Sequence, residues 1–551
     1  MIAEESEIAH RDSISDMGDG VPFSYLCTKI YPMPWPANPL IFEINTWTWL
    51  NALSRSYNRH VTLASIPAAE YDKLARQGFD AVWFMGVWER SPAGIAIARQ
   101  HTGIMKDMHD ALPDFSESDL AGSPYCIRRY RVESILGGAE GLAIARRELA
   151  RRGIRLILDF VPNHVAPDHP WTYEHPEFFV HGTEVDLATW PDDYLESNNH
   201  IYARARDPFF PPWPDILQLN LFDQGLRDAM AATIKDIAGQ SDGVRCDMAM
   251  LVMNDIFRQV WGYKAGTDPG IDFWNFIIPA VKKDYPDFIF IAEVYWEKEK
   301  EMLDQGFDFA YDKRLYDRIK EGAQPTLHHL QEIRELEGRL LRFLENHDEP
   351  RAAHLFAHER NKALALAGLT LPGARLIHDG QMEGKKIRVP VFLGRAPLED
   401  PDPELSDFYR HLLRLLEMEP LRAGMESLET THWALCNISG WPDNQSCQNL
   451  LAWEWHIESE RIMIIVNLSD HPSQGLIKSE HPYPTGRNFQ LSDVISGKIY
   501  ERNGDELNST GLFVDLTGWG THALKIQIPN PGFSTSTPSP VPSGQESSAF
   551  P

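Results

Sequence analysis

Acidic side chains recur in four short segments along the middle of the chain. They are Asp159 in DFVPNH, Asp247 in GVRCDM, Glu293 in AEV and Asp348 in NHDEPR. Two opposed carboxyl groups can cleave an acetal, because one protonates the leaving oxygen while the other places negative charge beside an oxocarbenium-like centre. A further carboxylate can hold a distorted sugar ring by accepting hydrogen bonds from its hydroxyls. The segments therefore predict acetal cleavage if the fold brings them together.

Basic neighbours suit this chemistry. Arg245 lies two residues before Asp247 and so on the same face of a strand, where its charge would keep that carboxylate ionised. Glu293 must stay protonated, so we expect neighbouring negative charge and partial burial to raise its pKa. His164 and His347 would donate hydrogen bonds to sugar hydroxyls. A single carboxylate is more often a solvated loop residue, but the joint occurrence of these groups favours chemistry.

Short apolar runs alternating with helical segments must position these residues. Eight runs are candidate strands: 39–45, 81–85, 154–160, 242–248, 288–294, 307–311, 342–348 and 374–380. Nearly continuous apolar strands separated by helices indicate a parallel sheet covered on both faces, and eight of them indicate a (β/α)₈ TIM barrel of the α/β class. The acidic segments stand at the carboxyl ends of the strands, where barrel enzymes build their sites.

The rest of the chain divides around this barrel. At roughly 150 residues per domain, a chain of 551 residues is too long for one ordinary unit. Residues 165–220 are too long for a βα loop and predict a subdomain inserted after strand three, and the short β-type runs near the end predict an antiparallel β-sandwich. The predicted divisions are a lead-in at 1–38, the barrel at 39–164 and 221–425, the subdomain at 165–220, the sandwich at 426–529 and a disordered Pro/Ser-rich tail at 530–551.

Composition excludes several classes of partner. The chain has 79 acidic and 52 basic residues, a formal net charge of −27, which repels nucleic acids and anionic membrane surfaces. It shows no secretory signal and no apolar run of about 18 residues, so we expect a soluble cytoplasmic protein. Its five cysteines form no metal-binding pairs and predict reduced thiols. We expect no metal and no cofactor to be required.

The four acidic segments, in their order along the barrel, resemble the conserved regions of the α-amylase family of retaining α-glycosidases, glycoside hydrolase family 13. The segment WPDILQLN at 213–220 resembles the motif near the end of that family's inserted subdomain. The segment LPGARLIHDGQMEG at 371–384 resembles its eighth strand and the loop that follows. The resemblance covers the barrel and the terminal sandwich.

The resemblance implies a role for each matching residue. Asp247 matches the nucleophile that forms a covalent glycosyl-enzyme, Glu293 the general acid and base, and Asp348 the carboxylate that stabilises the transition state. Three further residues, Arg245, His164 and His347, match residues that line the subsite of the cleaved sugar in that family. Tyr125, in GSPYCIRRY, matches the tyrosine that stacks on the same sugar.

Two departures from the family pattern leave questions open. Many members carry Lys and His shortly after the nucleophile, where this chain has Met250 and Leu251, so endo-acting starch hydrolysis does not follow. Asn163 matches a position that binds structural calcium in many members, but no other ligand is identifiable in the insertion. A structural calcium ion is therefore left open and not supported.

The sequence thus predicts a retaining glycoside hydrolase that acts on α-linked gluco-oligosaccharides or short α-glucans. One alternative keeps the chemistry and changes the acceptor: a transglycosylase or sugar isomerase of the same family, such as an α-glucan transferase or a trehalose-synthase-like enzyme. A more distant alternative is an inactive barrel that only binds sugar. Linkage, chain length, exo or endo action and oligomeric state are not specified by the sequence.

Overall fold

The computed structural model describes residues 34–422, 432–457 and 460–528. The predicted lead-in, apart from residues 34–38, and the predicted tail lie outside these described residues. So does the predicted boundary between residues 425 and 426.

Eight parallel strands close into a barrel in chain order, with the last strand paired to the first. They are β1 Leu40–Asn45, β2 Ala81–Met85, β3 Arg155–Phe160, β4 Gly243–Cys246, β5 Ile289–Ala292, β6 Phe309–Tyr311, β7 Leu340–Arg342 and β8 Ala374–His378. Their side chains are almost all buried, as expected for a parallel sheet that is covered on its outer face by helices. The predicted (β/α)₈ barrel is confirmed.

The seventh strand lies earlier than predicted. The sequence run at 342–348 predicts a strand, whereas β7 ends at Arg342 and the polar segment after it is a loop. Leu340 and Leu341 supply the buried part of the strand, and Asn346 instead uses its side-chain oxygen to accept from the backbone N–H groups of Asp348 and Glu349. This turn directs the segment into the barrel mouth.

Helices cover the outside of the barrel, and most of them bury one face, whereas residues 363–369 of the helix His358–Leu369 are buried on every side. In Gln224–Gln240 the side chain of Asp223 caps the first turn by accepting from the Leu226 backbone N–H, and Leu226, Met230 and Ile234 are buried at helical spacing. The other helices outside the insertion and the sandwich are Thr46–Ser56, Ala68–Arg76, Pro92–Gln100, Thr102–Ala111, Gly138–Ala150, Asn254–Trp261, Phe273–Lys282, Glu299–Asp304, Lys313–Glu321, Ala323–Glu332, Ala352–Leu355, His358–Leu369, Pro403–Leu416 and Glu419–Arg422. Among the helices of the described residues, none is both long and apolar enough to cross a membrane.

The insertion after β3 forms a small subdomain with a paired root. Its first strand, His164–Val165, pairs antiparallel with Leu217–Gln218, so the chain leaves and returns at the same place. Between them lie a hairpin of Tyr194–Ser197 and His200–Ala203 and the short helices Trp171–Glu174 and Glu184–Thr189. The loop after β2 is also long, and in it Trp88–Arg90 pairs with Ile127–Val132.

Nine antiparallel strands follow the barrel in two sheets. They are β9 His432–Leu435, β10 Asn437–Ser439, β11 Leu450–Ile457, β12 Glu460–Asn467, β13 Ser473–Lys478, β14 Asn488–Asp493, β15 Ile499–Asn503, β16 Leu512–Leu516 and β17 Thr521–Gln527, with one helix, Gly504–Ser509. The larger sheet has the order β9–β11–β12–β17–β14–β15, and the smaller has β10–β13–β16. This arrangement confirms the predicted antiparallel sandwich.

The larger sheet has two buried faces. Residues on one face, such as Trp453, Trp455 and Ile464, belong to the same apolar core as the barrel, while Leu450 and Ile465 on the other face fill the interior of the sandwich. Trp455 also donates its indole N–H to the Thr370 carbonyl at 2.7 Å. The sandwich is therefore packed directly on the barrel.

Candidate active site

The carboxyl ends of the barrel strands bring the predicted acidic residues together. Arg245 lies within β4, and Asp247 follows directly after it. Glu293 follows β5, and Asp348 lies in the loop after β7. The three segments meet at one mouth because all eight strands run in the same direction.

The Arg245 guanidinium joins two of the carboxylates. Its Nη1 lies 2.7 Å from Oδ1 of Asp247, and its Nη2 lies 2.6 Å from Oε2 of Glu293. The side chains of these three residues are 1 %, 8 % and 3 % exposed, respectively. Two carboxyl groups are thus held beside one another in a site that is almost closed to bulk water.

Aromatic rings fix the position of this guanidinium. Its central carbon lies 5.2 Å from the ring centroids of both Trp83 and Tyr125 and 5.9 Å from that of Tyr311. Arg245 Nε also donates to the Tyr311 hydroxyl at 3.4 Å. Cations are attracted to the faces of such rings, so the three side chains restrict Arg245 to one geometry.

Asp247 stands at a sharp turn of the backbone. Its N–H donates to the Phe160 carbonyl at 2.8 Å, which ties it to the end of β3. The next residue, Met248, has a left-handed backbone (φ 41°), and a 3₁₀ turn at Ala249–Val252 follows. Burial raises the pKa of Asp247, and the charge of Arg245 acts in the opposite direction.

Glu293 has the environment of a carboxyl group that titrates near neutrality. Burial raises its pKa to about 7 against the opposing charge of Arg245, and the charges of Asp247 and Asp348 add to the rise. The Tyr295 hydroxyl donates to its Oε1 at 2.9 Å, and the Met248 N–H donates to its Oε2 at 2.7 Å. At neutral pH a large fraction of this group carries a proton.

His347 links the third carboxylate to the barrel interior. Its Nδ1 lies 2.5 Å from Oε1 of Glu43, and its Nε2 lies 2.7 Å from the Tyr125 hydroxyl and 3.0 Å from Oδ2 of Asp348. Burial acts to lower the pKa of His347, but the two carboxylates outweigh it and raise that pKa well above its usual value. The ring is therefore a cation at neutral pH.

Asp348 is the most open of the three acidic groups. Its side chain is 48 % exposed. Desolvation acts to raise its pKa, but the charge of His347 and the hydrogen bond from that ring lower it to about 2. Asp348 is thus ionised over the whole neutral range, whereas Glu293 is not.

Known proteins that are similar to this chain include α-amylases. No family model matches the chain. It is 26 % identical over 367 residues to the α-amylase MalA of Haloarcula japonica, covering 64 % of this chain and 47 % of that protein. It is 24 % identical over 389 residues to α-amylase 3 of Dictyoglomus thermophilum, covering 62 % of this chain and 73 % of that one. The chain thus spans about half the length of the first relative.

Solved structures share the whole fold. A noncanonic maltogenic α-amylase, AmyB, from Thermotoga neapolitana superposes with a TM-score of 0.63 over 89 % of this chain and 99 % of its own, at 18 % identity. The α-amylase of H. orenii superposes with a TM-score of 0.62 over 90 % of this chain. The chain is thus similar to α-amylases in both sequence and fold. The fold is the one expected from the sequence.

His164, another of the residues that the family resemblance singles out, lies at the root of the inserted subdomain. It is 4 % exposed, its ring centroid lies 5.8 Å from that of Trp213, and its Nδ1 lies 3.4 Å from the Asn163 amide. Burial lowers the pKa of His164 to about 3, so the ring is neutral. Among the described residues no hydrogen bond joins it to the three carboxylates.

The oxygens of Asn163 accept hydrogen bonds at the root of the inserted subdomain. Gln218 donates its amide N–H to Oδ1 of Asn163 at 2.9 Å and to the Asn163 carbonyl at 3.0 Å. This contact of Asn163 with Gln218 ties the two strands of the subdomain root together. Within the described residues, no group of three or more His, Cys, Asp or Glu side chains is arranged to hold a metal ion.

Asp159 connects β3 with the loop after β2. Its carboxylate accepts from the Trp83 indole at 3.1 Å and from the Gly86 N–H at 3.0 Å, and its carbonyl accepts from the Trp88 indole at 2.8 Å. Its Oδ1 lies 3.9 Å from Arg245. Asp159 therefore ties β3 to β2 and to the loop that follows β2.

Sequence reasoning missed Glu43, Tyr295 and Tyr311, which contact the predicted site residues. Glu43 is fully buried in β1, and a single charged residue inside the apolar run LIFEIN is a signal that could have found it. The two tyrosines carry no comparable signal, since buried tyrosines are common in barrel cores. Their roles depend on which residues face them across the barrel.

Met250 and Leu251 do not line the mouth. They are 0 % and 2 % exposed and pack into the barrel core from the 3₁₀ turn after Asp247. Neither side chain is therefore open to a bound sugar. A separate cavity of about 910 Å³ is lined by Phe210, Met248, Tyr295 and Trp296 together with charged residues, and two of these, Met248 and Tyr295, donate hydrogen bonds to Glu293.

Proposed function

We propose that this protein is a retaining glycoside hydrolase that acts on α-linked gluco-oligosaccharides or short α-glucans. The observation that carries the proposal is the shared Arg245 guanidinium, which holds the carboxyl groups of Asp247 and Glu293 side by side. Retaining enzymes need two carboxyl groups about 5 to 5.5 Å apart, and a common guanidinium partner supports such a spacing.

In the first step, a carboxylate oxygen of Asp247 attacks the anomeric carbon and the bond to the glycosidic oxygen breaks. Glu293 gives its proton to that oxygen as it leaves, so the product carries a neutral hydroxyl. The raised pKa of Glu293, about 7, supports this role, because the group holds a proton at neutral pH in a site that excludes bulk water. The result is a glycosyl ester on Asp247.

In the second step, Glu293 acts in the opposite sense. Its carboxylate takes a proton from a water molecule, the water oxygen attacks the anomeric carbon, and the bond to Asp247 breaks. The charges of both carboxyl groups then return to their starting state. Arg245 stabilises negative charge on Asp247 when the ester forms and when it is cleaved.

The remaining predicted residues hold the sugar. Asp348, ionised and half exposed, accepts hydrogen bonds from ring hydroxyls, and His347, a cation whose two N–H groups face Glu43 and Asp348, holds that carboxylate at the sugar. Tyr125 presents its ring at the same place, with its hydroxyl fixed on His347. His164, neutral and buried, donates from the root of the subdomain.

The first test removes the two central carboxyl groups separately. We expect Asp247→Asn to abolish release of glucose and maltose from maltopentaose, and Glu293→Gln to lower kcat by roughly 10²- to 10⁴-fold. Asp236→Asn, at an exposed position of the helix Gln224–Gln240, is the matched control and should keep full activity. Unchanged turnover in Asp247→Asn would remove the assigned nucleophile.

A second candidate function is transfer to another acceptor, either as a transglycosylase or as a sugar isomerase. It is favoured by the relationship to the α-1,4-glucan:maltose-1-phosphate maltosyltransferase of Picrophilus torridus, 27 % identical over 205 residues that cover 36 % of this chain and 28 % of that one. Mass spectrometry of maltopentaose reactions with and without added glucose or inorganic phosphate separates the two. Longer, rearranged or phosphorylated sugars would indicate transfer, and shorter sugars alone would indicate hydrolysis.

A further inference from the structure

Two long loops meet at one side of the barrel mouth. One contributes residues 111–124, after β2, and the other contributes residues 387–396, after β8. Leu120 and Leu393 pair as an isolated antiparallel bridge, and both belong to a small apolar cluster that is separate from the barrel core. We call these two joined segments the wall.

Hydrogen bonds and an ion pair hold the wall together. The Ala121 N–H donates to the Phe392 carbonyl at 2.8 Å, and the Gly394 N–H donates to the Asp119 carbonyl at 2.7 Å. Arg395 adds a double contact to the Asp119 carboxylate, from Nε to Oδ1 at 2.7 Å and from Nη2 to Oδ2 at 2.8 Å. Because bidentate pairs of an arginine with a carboxylate are strong and directional, they fix the two segments to one another.

The wall reaches the residues that are proposed to hold the cleaved sugar. Tyr125 follows directly after its first segment, and Arg388 of its second segment donates from Nη1 to the Asp348 carbonyl at 3.0 Å. The cavity between His347 and the loop after β8 has a volume of about 20 Å³. A void of that size holds about one water molecule and is far smaller than a ligand site. The wall therefore stands directly beside the sugar at Tyr125 and Asp348.

The opposite side of the mouth has far more room. The wall follows β8 and β2, the two neighbours of β1, whereas Glu293 follows β5, which lies across the closed barrel from β1. The cavity of about 910 Å³ is on the Glu293 side, because its lining comes from the inserted subdomain and from the segments after β4, β5 and β6. Its volume is within the range of ligand sites in proteins.

The proposed chemistry decides which end of the substrate faces each side. Glu293 protonates the oxygen of the leaving group, so the leaving group lies on the Glu293 side of the mouth, towards the larger cavity. The part of a glucan that continues towards the non-reducing end lies on the other side of the cleaved sugar. That part of the chain would have to pass through the wall.

We propose that the enzyme is exo-acting and removes one glucose unit at a time from the non-reducing end of a short α-glucan. The wall occupies the place where a second sugar would extend the chain, and the rest of the substrate lies in the cavity on the Glu293 side. This inference rests on the proposed function, and it adds the position of the bond that is cleaved.

The experiment uses maltopentaose that carries a fluorescent label on its reducing end. We expect unlabelled glucose and labelled maltotetraose to be the first products in chromatography of early time points. A second substrate is the same labelled sugar with its non-reducing unit capped by an ethylidene acetal. It should be cleaved roughly 100-fold more slowly, because a pocket that encloses one sugar discriminates against added carbon atoms.

Opening the wall should relax this discrimination. Arg395→Ala removes the double contact with Asp119 and should raise the rate on the capped substrate roughly tenfold, because the two segments can then separate. Arg410→Ala breaks an exposed pair with Asp407 on the helix Pro403–Leu416 and is the matched control, which should leave both rates unchanged. Thermal unfolding shows whether each variant folds, and the two substrates test the unaltered protein in any case.

Three outcomes would overturn exo action and leave the proposed function standing. They are labelled maltotriose as an equally early product, equal rates on the capped and uncapped sugars, and no gain on the capped sugar in a folded Arg395→Ala variant. If the unaltered protein neither cleaves the uncapped sugar nor transfers from it, the proposed function is refuted and this inference with it.

Discussion

At the scale of single residues, the acidic groups of the candidate site differ in their pKa values. Asp348 has its pKa lowered to about 2 beside His347, whereas Glu293 has its pKa raised to about 7 by burial and by its acidic neighbours. Two carboxyl groups of the same chemical type are therefore in different protonation states at pH 6. Separation of this kind allows one site to hold an acid and an anion together.

This separation predicts a pH profile. The proposed acid, Glu293, must carry its proton, so kcat/KM should fall as pH rises through about 7. The Tyr295 hydroxyl donates to the Glu293 carboxylate and stabilises its ionised form, so Tyr295→Phe should raise that pKa and move the alkaline limb upward by up to about one pH unit. The measurement is kcat/KM for maltopentaose from pH 4 to 10.

Tyr263→Phe provides the control for this change, because Tyr263 is 88 % exposed. Its profile should coincide with that of the unaltered protein. An alkaline limb that stays in place in Tyr295→Phe, or moves to lower pH, would show that Tyr295 does not act on the charge of Glu293.

The sequence predicts the acidic residues of this site better than it predicts their supports. Asp247, Glu293 and Asp348 stand next to recognisable strands, so their place at one end of the barrel follows from the topology. Glu43 contacts His347 from a strand 304 positions earlier in the chain, and no spacing rule connects the two. Such partners depend on side-chain directions across a closed barrel, which the pattern of apolar residues does not contain.

At the scale of elements, the loop after β2 is held by one buried carboxylate. The Gly86 N–H donates to Asp159, and Gly86 has a left-handed backbone with φ of 78°. A Cβ at this position would lie 2.7 Å from Nη2 of Arg90 and 3.0 Å from the Pro124 side chain. The loop therefore requires glycine for both its conformation and its close packing.

Gly86→Ala should destabilise the protein more than Gly153→Ala. Gly153 has nearly the same φ, 75°, but open space where its Cβ would lie. Both substitutions carry the left-handed cost of about 1 to 2 kcal/mol, and only Gly86→Ala adds a packing cost of about 1 to 3 kcal/mol. Free energies of unfolding from urea titrations measure the difference, and equal values for the two variants would contradict the assigned contacts.

The strands themselves follow closely from the sequence. The run at 81–85 coincides with β2, and most of the other predicted strands agree within two residues. The seventh differs because the sequence LENHD has the apolar start of a strand but continues as the turn that Asn346 makes with its side chain. Side-chain to backbone hydrogen bonds of this kind compete with strand pairing and are not visible in the apolar pattern.

At the scale of the whole molecule, the sandwich shares an apolar core with the barrel. Trp455 is 4 % exposed within that core and also bonds to the Thr370 carbonyl. An interface that is buried like the interior of a domain couples the stability of its two sides. The barrel and the sandwich should therefore unfold together.

Trp455→Ala should lower the free energy of unfolding by about 3 to 5 kcal/mol, the usual cost of removing a buried tryptophan side chain. The loss of activity and the change in circular dichroism should occur at the same urea concentration. Phe513 lies in the smaller sheet and is 47 % exposed. Phe513→Ala should therefore change the free energy of unfolding by less than about 0.5 kcal/mol. Two separate transitions in Trp455→Ala would show that the domains are independent.

The paired root of the inserted subdomain makes it exchangeable. Because Val165 and Leu217 are opposite one another in a two-stranded ribbon, everything between them can be replaced by a segment of another length without moving the ends that join it to the barrel. His164 lies one position before Val165, so it would remain in the protein that receives the new segment. Loop grafting between those two positions should thus alter the proposed choice of glucan while the proposed catalytic groups keep their places.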